Sequence, residues 1–298
     1  MENITLRQLR YFDALARSNH FGRAAKACAV TQPALSMQIK DLEDTLGVAL
    51  IERSARQVRL TKLGEEMVLR VRDILRAVDQ LGDTARASGD GLTGRFRLGM
   101  IPTIAPYLLP AIIKAAAKNY PDLEIHVREG ITSKLVQELA EGRLDAAIVA
   151  LPISEPSLTE VALFTENFLL VRPARDKKSP LPDSQTLADA KLLLLEEGHC
   201  FRDQALSFCK MQTASPREAL DASSLSTLVQ MVRADLGVTL IPEMAAPLET
   251  RSAGVSVTRF REPQPSRTVG MVWRKTNPLA LKFLQLSEVV RRAGGYRN

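Results

Sequence analysis

The chain is short of several things, and each shortage closes off a class of proteins. It holds 3 cysteines, 1 tryptophan and 3 histidines in 298 residues. Three cysteines are too few and too unevenly placed for the disulfide framework of a small secreted fold. The opening stretch MENITLRQLRYF has neither a basic n-region nor an apolar h-region, so no secretory signal is expected. The thiols then belong to a reducing compartment, the cytoplasm, where disulfides are transient or sensory. No run approaches the ~18 uninterrupted apolar residues of a membrane span, so no membrane association is expected. His20 and His126 have no Cys or His partner at metal-ligand spacing and read as ordinary polar residues. No metal and no cofactor are expected. Acidic residues are outnumbered by basic ones, giving a net charge of +6. That balance suits a polyanionic partner but does not by itself identify one.

What is present begins with two of the cysteines, Cys200 and Cys209, in one short run, EEGHCFRDQALSFC. Beside Cys200 stand His199, Arg202 and Asp203. The thiolate is the reactive form of cysteine, and a nearby cation or a helix N-terminus favours it. Over nine positions an intact helix advances about 13.5 Å and turns about 900°, sending the two side chains off opposite faces. A disulfide requires Cα atoms within about 7 Å. If the segment is helical when reduced, joining the two thiols must unwind it. Cys28 reads instead as a small hydrophobe on the inner face of its helix.

The first ninety residues carry a different pattern. Thr5 and Gln8 have capping-box spacing ahead of a helix to Ser18. A short alanine-rich helix fits Phe21 to Cys28. A third helix starts at Thr31, with Pro33 in its first turn and an apolar stripe of Leu35, Ile39, Leu42 and Leu46 that ends at Gly47. Its other face offers Gln32, Ser36 and Lys40. Two helices joined by a tight turn, the second with a polar front, form a helix-turn-helix pattern. Gln and Ser suit base edges in a major groove, and Lys suits phosphate or guanine. The run IERSARQVRLT alternates apolar residues with Arg53, Arg56 and Arg59, as a hairpin wing beside a duplex would. A long helix follows, capped at Thr61. Along it Met67, Val71, Ile74, Val78, Leu81 and Ala85 keep the spacing of a coiled-coil seam. That seam either packs within its own domain or pairs with a second copy. SGDGLTG, from Ser88 to Gly94, reads as a hinge.

Beyond the hinge, strand and helix patterns alternate. Phe96–Ile101, Leu123–Val127 and Leu144–Leu151 read as strands, and Ile104–Lys118 and Lys134–Glu141 as helices. This βαβαβ order predicts a mostly parallel sheet with helices on both faces. Further strands fit Lys191–Leu195, Val238–Ile241 and Thr268–Trp273; further helices fit Ser224–Leu236 and Leu279–Arg292. Ligands of such sheets bind beyond the carboxyl ends of the strands. Pro102-Thr103, Gly130-Ile131-Thr132 and Gly198-His199-Cys200 each follow a strand, so Thr103 and Thr132 are expected near the cysteine.

The segments LRQLRYF, AAKACAVTQPALSMQIKDLEDTLGVALIER and LTKLG resemble the DNA-binding domain of LysR-type transcriptional regulators, and the likeness runs through essentially the whole chain. Within that family, GHCFRDQALSFC together with IPTIAPYLLP resembles the hydrogen-peroxide-sensing subfamily. The resemblance implies an N-terminal all-α winged helix-turn-helix over residues 1–60, and a dimerisation linker helix over 61–90. An α/β regulatory module of two Rossmann-like subdomains, similar to periplasmic binding proteins, follows over 91–298. Subdomain I is expected at about 91–164 and 268–298 and subdomain II at about 165–267. It further implies a cytoplasmic, non-enzymatic regulator in which peroxide oxidises Cys200 to a sulfenic acid that Cys209 resolves to a disulfide. Thr103, Thr132, His199, Arg202 and Asp203 fall at its peroxide-pocket and supporting positions, and Phe201 stands where an aliphatic residue is commoner. Thr31, Gln32, Pro33, Ser36, Gln38, Lys40, Arg53 and Arg56 would contact DNA. Met67, Val71, Ile74, Val78 and Leu81 would pair the subunits. The implied partners are double-stranded promoter DNA, hydrogen peroxide, RNA polymerase, a second copy as homodimer and homotetramer, and a thiol reductant such as glutaredoxin or thioredoxin.

Two other readings use the same residues. A regulator answering to a small organic acid would hold a carboxylate with Thr103 and Thr132 and leave the cysteines incidental. A thiol peroxidase would use the cysteine chemistry but leave the DNA-reading unit without a purpose.

Overall fold

The computed structural model describes residues 4–53, 58–89, 91–178, 180, 187, 191–208, 221–251 and 254–295. Arg56 and Cys209, and most of the stretch after Cys209, lie outside the described residues; of Arg53 only the backbone is described. The chain divides into two compact units, Met1–Ala85 and Arg86–Asn298.

The first unit is built as its sequence signals require. Helix α1 (Leu6–Ser18) opens with the capping box: Gln8 N donates to Thr5 Oγ1 at 3.2 Å and Thr5 N to Gln8 Oε1 at 2.9 Å. Helix α2 (Phe21–Ala27) is capped by His20, whose Nδ1 accepts from Gly22 N at 3.0 Å. Helix α3 (Gln32–Leu46) has Thr31 at its N-cap and ends at Gly47 with φ of 69°. Between α2 and α3 the chain turns through Ala29 at φ of 53°. Leu9, Phe12 and Leu15 of α1 meet Leu35, Ile39 and Leu42 of α3 in one apolar core.

The wing is a short antiparallel hairpin, β1 (Ile51–Arg53) on β2 (Val58–Leu60). Glu43 of α3 fixes its base by accepting from Leu50 N at 2.8 Å and Ile51 N at 3.1 Å. Helix α4 (Lys62–Ala87) then leaves the wing, and Arg72 ties it to Asp13 of α1 at 2.8 Å. The expected seam on α4 divides. Val71 is buried in the unit's own core with Met67 packed beside it, whereas Ile74 is 47% and Leu81 71% exposed.

In the second unit, β3 (Gly94–Met100) lies parallel to β4 (Leu123–Glu129) and β5 (Ala146–Leu151). Helices α5 (Ala105–Asn119) and α6 (Thr132–Ala140) connect them. This is the expected βαβαβ order, but the sheet as a whole is mixed rather than mostly parallel. β6 (Leu158–Pro173) and β11 (Ser266–Arg274) run antiparallel to each other, and β11 also runs antiparallel to β5. β9 (Thr239–Pro242) and β10 (Val255–Arg259) join the far half of β6, again antiparallel. The 16-residue β6 escapes a periodicity search because Thr165, Glu166 and Asn167 interrupt its apolar pattern.

β6 connects two separate apolar cores. One holds Phe96, Met100, Ile148, Trp273 and Phe283, the last from helix α10 (Ala280–Ala293). The other holds Phe168, Leu170, Leu193, Phe201 and Ile241. Its remaining elements are β7 (Leu194–Leu195) parallel to β8 (Asp221–Ala222), with helices α7 (Cys200–Phe208), α8 (Leu225–Arg233) and α9 (Ala246–Glu249). Among the described residues no helix is long and apolar enough to cross a membrane.

One glycine sets how closely the wing can approach α4. Thr61 Oγ1 donates to Ala49 O at 2.9 Å and accepts from Gly64 N at 3.0 Å, and a Cβ at Gly64 would lie 2.2 Å from the carbonyl oxygen of Leu50. The obstacle is backbone, so neither side can yield cheaply. Gly64→Ala is expected to cost about 1–3 kcal/mol, the usual range for forcing extra volume into a packed site. Chemical denaturation of the full chain, followed by circular dichroism, checks it; an unchanged midpoint contradicts the close approach.

Candidate redox site and DNA-reading face

The three strand ends singled out in the sequence meet in one cleft. Ile101, Pro102 and Thr103 follow β3, Ile131 and Thr132 open α6 after β4, and His199, Cys200 and Phe201 follow β7. Together they line one narrow, closely packed depression. Gly198 makes the last approach possible. Its φ is +92°, and a Cβ there would lie 3.1 Å from Ile131 Cδ1. Cys200 is a free thiol, half-buried, and the first residue of α7. Negative charge formed on its sulfur would face the positive end of that helix.

Two hydroxyls share the cleft with the thiol. Thr132 Oγ1 is buried and has no hydrogen-bond partner among the described residues. A buried hydroxyl left unpaired is costly unless something else comes to bond it. Thr103 is 2% exposed, and its Oγ1 accepts from Arg267 Nη1 at 2.7 Å while its carbonyl accepts from Nη2 at 3.0 Å. Arg267 in turn pairs with Glu166 at 2.8 Å, both side chains being wholly buried. Its guanidinium carbon lies 5.6 Å from the centre of the Phe201 ring, which packs edge-on against Phe168. Away from the thiol, Tyr107 Oη donates to Glu249 Oε1 at 2.7 Å, and Ser226 Oγ to Glu249 Oε2 at 2.6 Å. Burial and that carboxylate push the Tyr107 hydroxyl well above its usual range.

The other expected site residues fall in different places. His199 lines the cleft, and its carbonyl accepts from Arg202 N at 2.9 Å. Arg202 turns away from the cleft: its Nη1 donates to Leu195 O at 2.7 Å and to Asp221 Oδ1 at 2.8 Å, tying α7 to β7 and β8. Asp203 is exposed and faces a second depression, shared with Phe168, Gln204 and Phe208. Arg202 therefore anchors the helix, and neither side chain lines the depression that holds the thiol. Arg267 and Glu166 were not found from the sequence. The available signal was opposite charges inside strands otherwise apolar enough to be buried, where an ion survives only if paired.

On the first unit, Thr31, Gln32, Pro33 and Lys40 are exposed on α3, and Ser36 and Gln38 are half-buried. Gln38 Nε2 donates to Asp41 at 3.1 Å. The wing places Arg59 at its exposed edge, with Arg53 and Arg56 as noted above.

A helix-turn-helix with a wing, followed by a two-core α/β module with a cleft, defines a class of bacterial regulator. Residues 6–65 match the family described as bacterial regulatory helix-turn-helix protein, lysR family, and residues 89–295 match the LysR substrate binding domain. The chain belongs to the LysR family of transcriptional regulators. It is similar to the DNA-binding transcriptional dual regulator OxyR of Escherichia coli, 42% identical over 293 residues, which is 97% of this chain and 95% of that one. The hydrogen peroxide-inducible genes activator of Haemophilus influenzae is 39% identical over 290 residues, covering 96% of both. Among solved structures, a cysteine-to-aspartate variant of full-length OxyR from Pseudomonas aeruginosa matches with TM-score 0.75 at 37% identity, covering 98% of this chain and 96% of that one. A peroxide-bound cysteine-to-serine variant of OxyR from Corynebacterium glutamicum matches with TM-score 0.65 at 36% identity, covering 98% and 93%.

Cys28 serves as an internal reference for Cys200. It packs against the first unit's core, and burial, with Asp13 adding to it, pushes its thiol above the usual range. At neutral pH it therefore holds less thiolate than a free cysteine, and the thiolate is what reacts. Iodoacetamide is expected to label Cys200 first at pH 7, and the labelling of Cys28 to catch up only as the pH is raised past the ordinary thiol range. Peptide mapping after timed exposure checks the order.

Proposed function

We propose that this chain is a hydrogen-peroxide-sensing transcriptional regulator in which Cys200 is the primary target and Cys209 the resolving thiol. The observation that carries the reading is the pair of hydroxyls beside Cys200. Among the described residues Thr132 Oγ1 has no partner, and Thr103 Oγ1 accepts one bond while none takes its hydrogen. A small neutral molecule with two polar oxygens suits that setting. A carboxylate suits it less, because the cation beneath the cleft, Arg267, already has its charge matched by Glu166. The organic-acid reading is accordingly not favoured.

The chemistry balances in two steps. The Cys200 thiolate attacks one peroxide oxygen; the S–O bond forms, the O–O bond breaks, and the other oxygen leaves as hydroxide, which takes up a proton to become water. The resulting sulfenic acid condenses with the Cys209 thiol, forming the S–S bond and releasing a second water. Two electrons have passed from the thiols to peroxide. A thiol reductant such as glutaredoxin or thioredoxin returns them, so peroxide acts as a signal rather than as a substrate for steady turnover.

Closing that bond requires α7 to open. Its eight steps from Cys200 to Phe208 separate the end Cα atoms by about 12 Å. The next Cα can recover only about 3.8 Å of that. An intact helix therefore holds the two cysteines beyond the ~7 Å limit of a disulfide. Unwinding also pulls on Phe201, Ala205 and Leu206, which are buried in the second core. On this reading the opened helix moves the DNA-reading units, paired through the exposed part of α4 at Ile74 and Leu81. The regulator is a cytoplasmic homodimer, and a homotetramer on promoter DNA, and engages RNA polymerase there. Gln32, Ser36 and Lys40 read the major groove and the wing arginines contact the backbone.

Cys200→Ser is expected to keep DNA affinity while losing the peroxide-dependent change in footprint; a variant that still responds ends the sensor reading. In the parent chain, mass spectrometry after a low peroxide dose should find Cys200 linked to Cys209 before Cys28 is modified. Affinity for promoter DNA should fall steeply with salt, as phosphate contacts require, and a flat response removes the wing assignment.

A further inference from the structure

Glu166 is a carboxylate wholly buried in a strand, it does not line the depression that holds the thiol, and the proposed chemistry makes no use of it. We infer that Glu166 is a positioning residue for the reaction of Cys200. By clamping Arg267 it turns the hydroxyl hydrogen of Thr103 into the cleft, toward the oxygen that leaves when a peroxide is attacked. The inference rests on the reading of Cys200 as the peroxide-reactive thiol.

The geometry is a relay of three groups. Glu166 on β6 stands directly opposite Arg267 on β11. Its Oε1 accepts from Arg267 Nε at 2.8 Å, and its Oε2 accepts from Met244 N at 3.1 Å. The carboxylate is thus gripped from two sides, which fixes the plane of the guanidinium. The adjoining Nη1–Nη2 edge of that plane holds Thr103 at two points, Oγ1 at 2.7 Å and the carbonyl at 3.0 Å. A guanidinium has only donors, so Thr103 Oγ1 must be the acceptor and its own hydrogen must point elsewhere. The wall that Thr103 shares with Cys200 is the cleft. Accepting from a charged donor also polarises the hydroxyl and makes it a stronger donor in turn.

That is the donor the reaction requires. Negative charge develops on the departing oxygen as the O–O bond breaks, and a hydrogen bond aimed at that position stabilises the transition state more than the bound peroxide. Burying an ion pair is a poor way to gain stability, since apolar residues of the same volume often do as well. An orienting role explains why a charged pair occupies this place.

The test uses the full, reduced chain and two reagents. Hydrogen peroxide needs a donor for its leaving oxygen, whereas iodoacetamide needs only an accessible thiolate. Glu166→Asp keeps the charge but withdraws the carboxylate by one methylene. It is expected to slow Cys200 oxidation by about 100-fold, the scale of losing one aligned donor, while leaving Cys200 alkylation within about twofold. Thr103→Val should lose a similar factor, Thr103→Ser should retain the rate, and Glu166→Asp added to Thr103→Val should cost nothing more. If Glu166→Asp does not fold by circular dichroism, Arg267→Lys, which keeps charge but loses the fork, carries the same expectation. Equal losses with both reagents, additive losses in the double variant, or no loss at all overturn the assignment. A parent chain whose Cys200 reacts with peroxide no faster than Cys28 overturns the sensor reading and this assignment with it.

Discussion

The second unit depends on one antiparallel pairing, β6 against β11, and on the ion pair buried within it. β6 gives its first half to one core and its second half to the other, so the two cores are joined through continuous backbone, while β11 packs into the first core. At the crossing, Glu166 and Arg267 sit in register with no exposure to solvent. Such a pair survives only when every neighbour completes its hydrogen bonds, and here Thr103 from one side and Met244 from the other do so. The candidate redox site adjoins this pairing through Thr103, which accepts from Arg267 and lines the same depression as Cys200.

Much of this was legible in the sequence, though unevenly. Helix caps at Thr5, Thr31 and Thr61 are local chemistry, and each stands where its side chain predicts. The convergence of Thr103, Thr132 and Cys200 followed from a general rule about where strands end. What escaped was governed by partners distant in sequence. β6 reads poorly because its polar middle is satisfied by groups far along the chain, Arg267, 101 residues further on, and Met244. The parallel expectation failed for the same reason: β11 returns from the end of the chain and is inserted beside β5 in the opposite sense. Arg202 looked like a thiol partner by proximity, but helix geometry turns it toward Leu195 and Asp221.

The long helix α4 shows how one sequence pattern can serve two surfaces. Its seam is continuous in spacing, yet Val71 belongs to the first unit's own core and Leu81 does not. Spacing alone cannot mark where burial within the unit gives way to exposure. Arg72 can, because its bond to Asp13 falls next to the last residue buried against α1 and α3.

The helix that carries Cys200 has one more consequence, in the poise of the switch. Reduced, it keeps Phe201 packed against Phe168 and lets Arg202 hold the small β7–β8 sheet. An oxidised form that unwinds it gives up part of that packing. Exposing one Phe or Leu side chain costs about 1.5–3 kcal/mol. At about 30 mV for each 1.4 kcal/mol, that shifts the two-electron reduction potential upward by about 30–60 mV. On the proposed function, a disulfide formed against the fold's own preference would be one that a thiol reductant reopens more readily, and the packing of α7 would set how readily the signal is erased once the oxidant is gone.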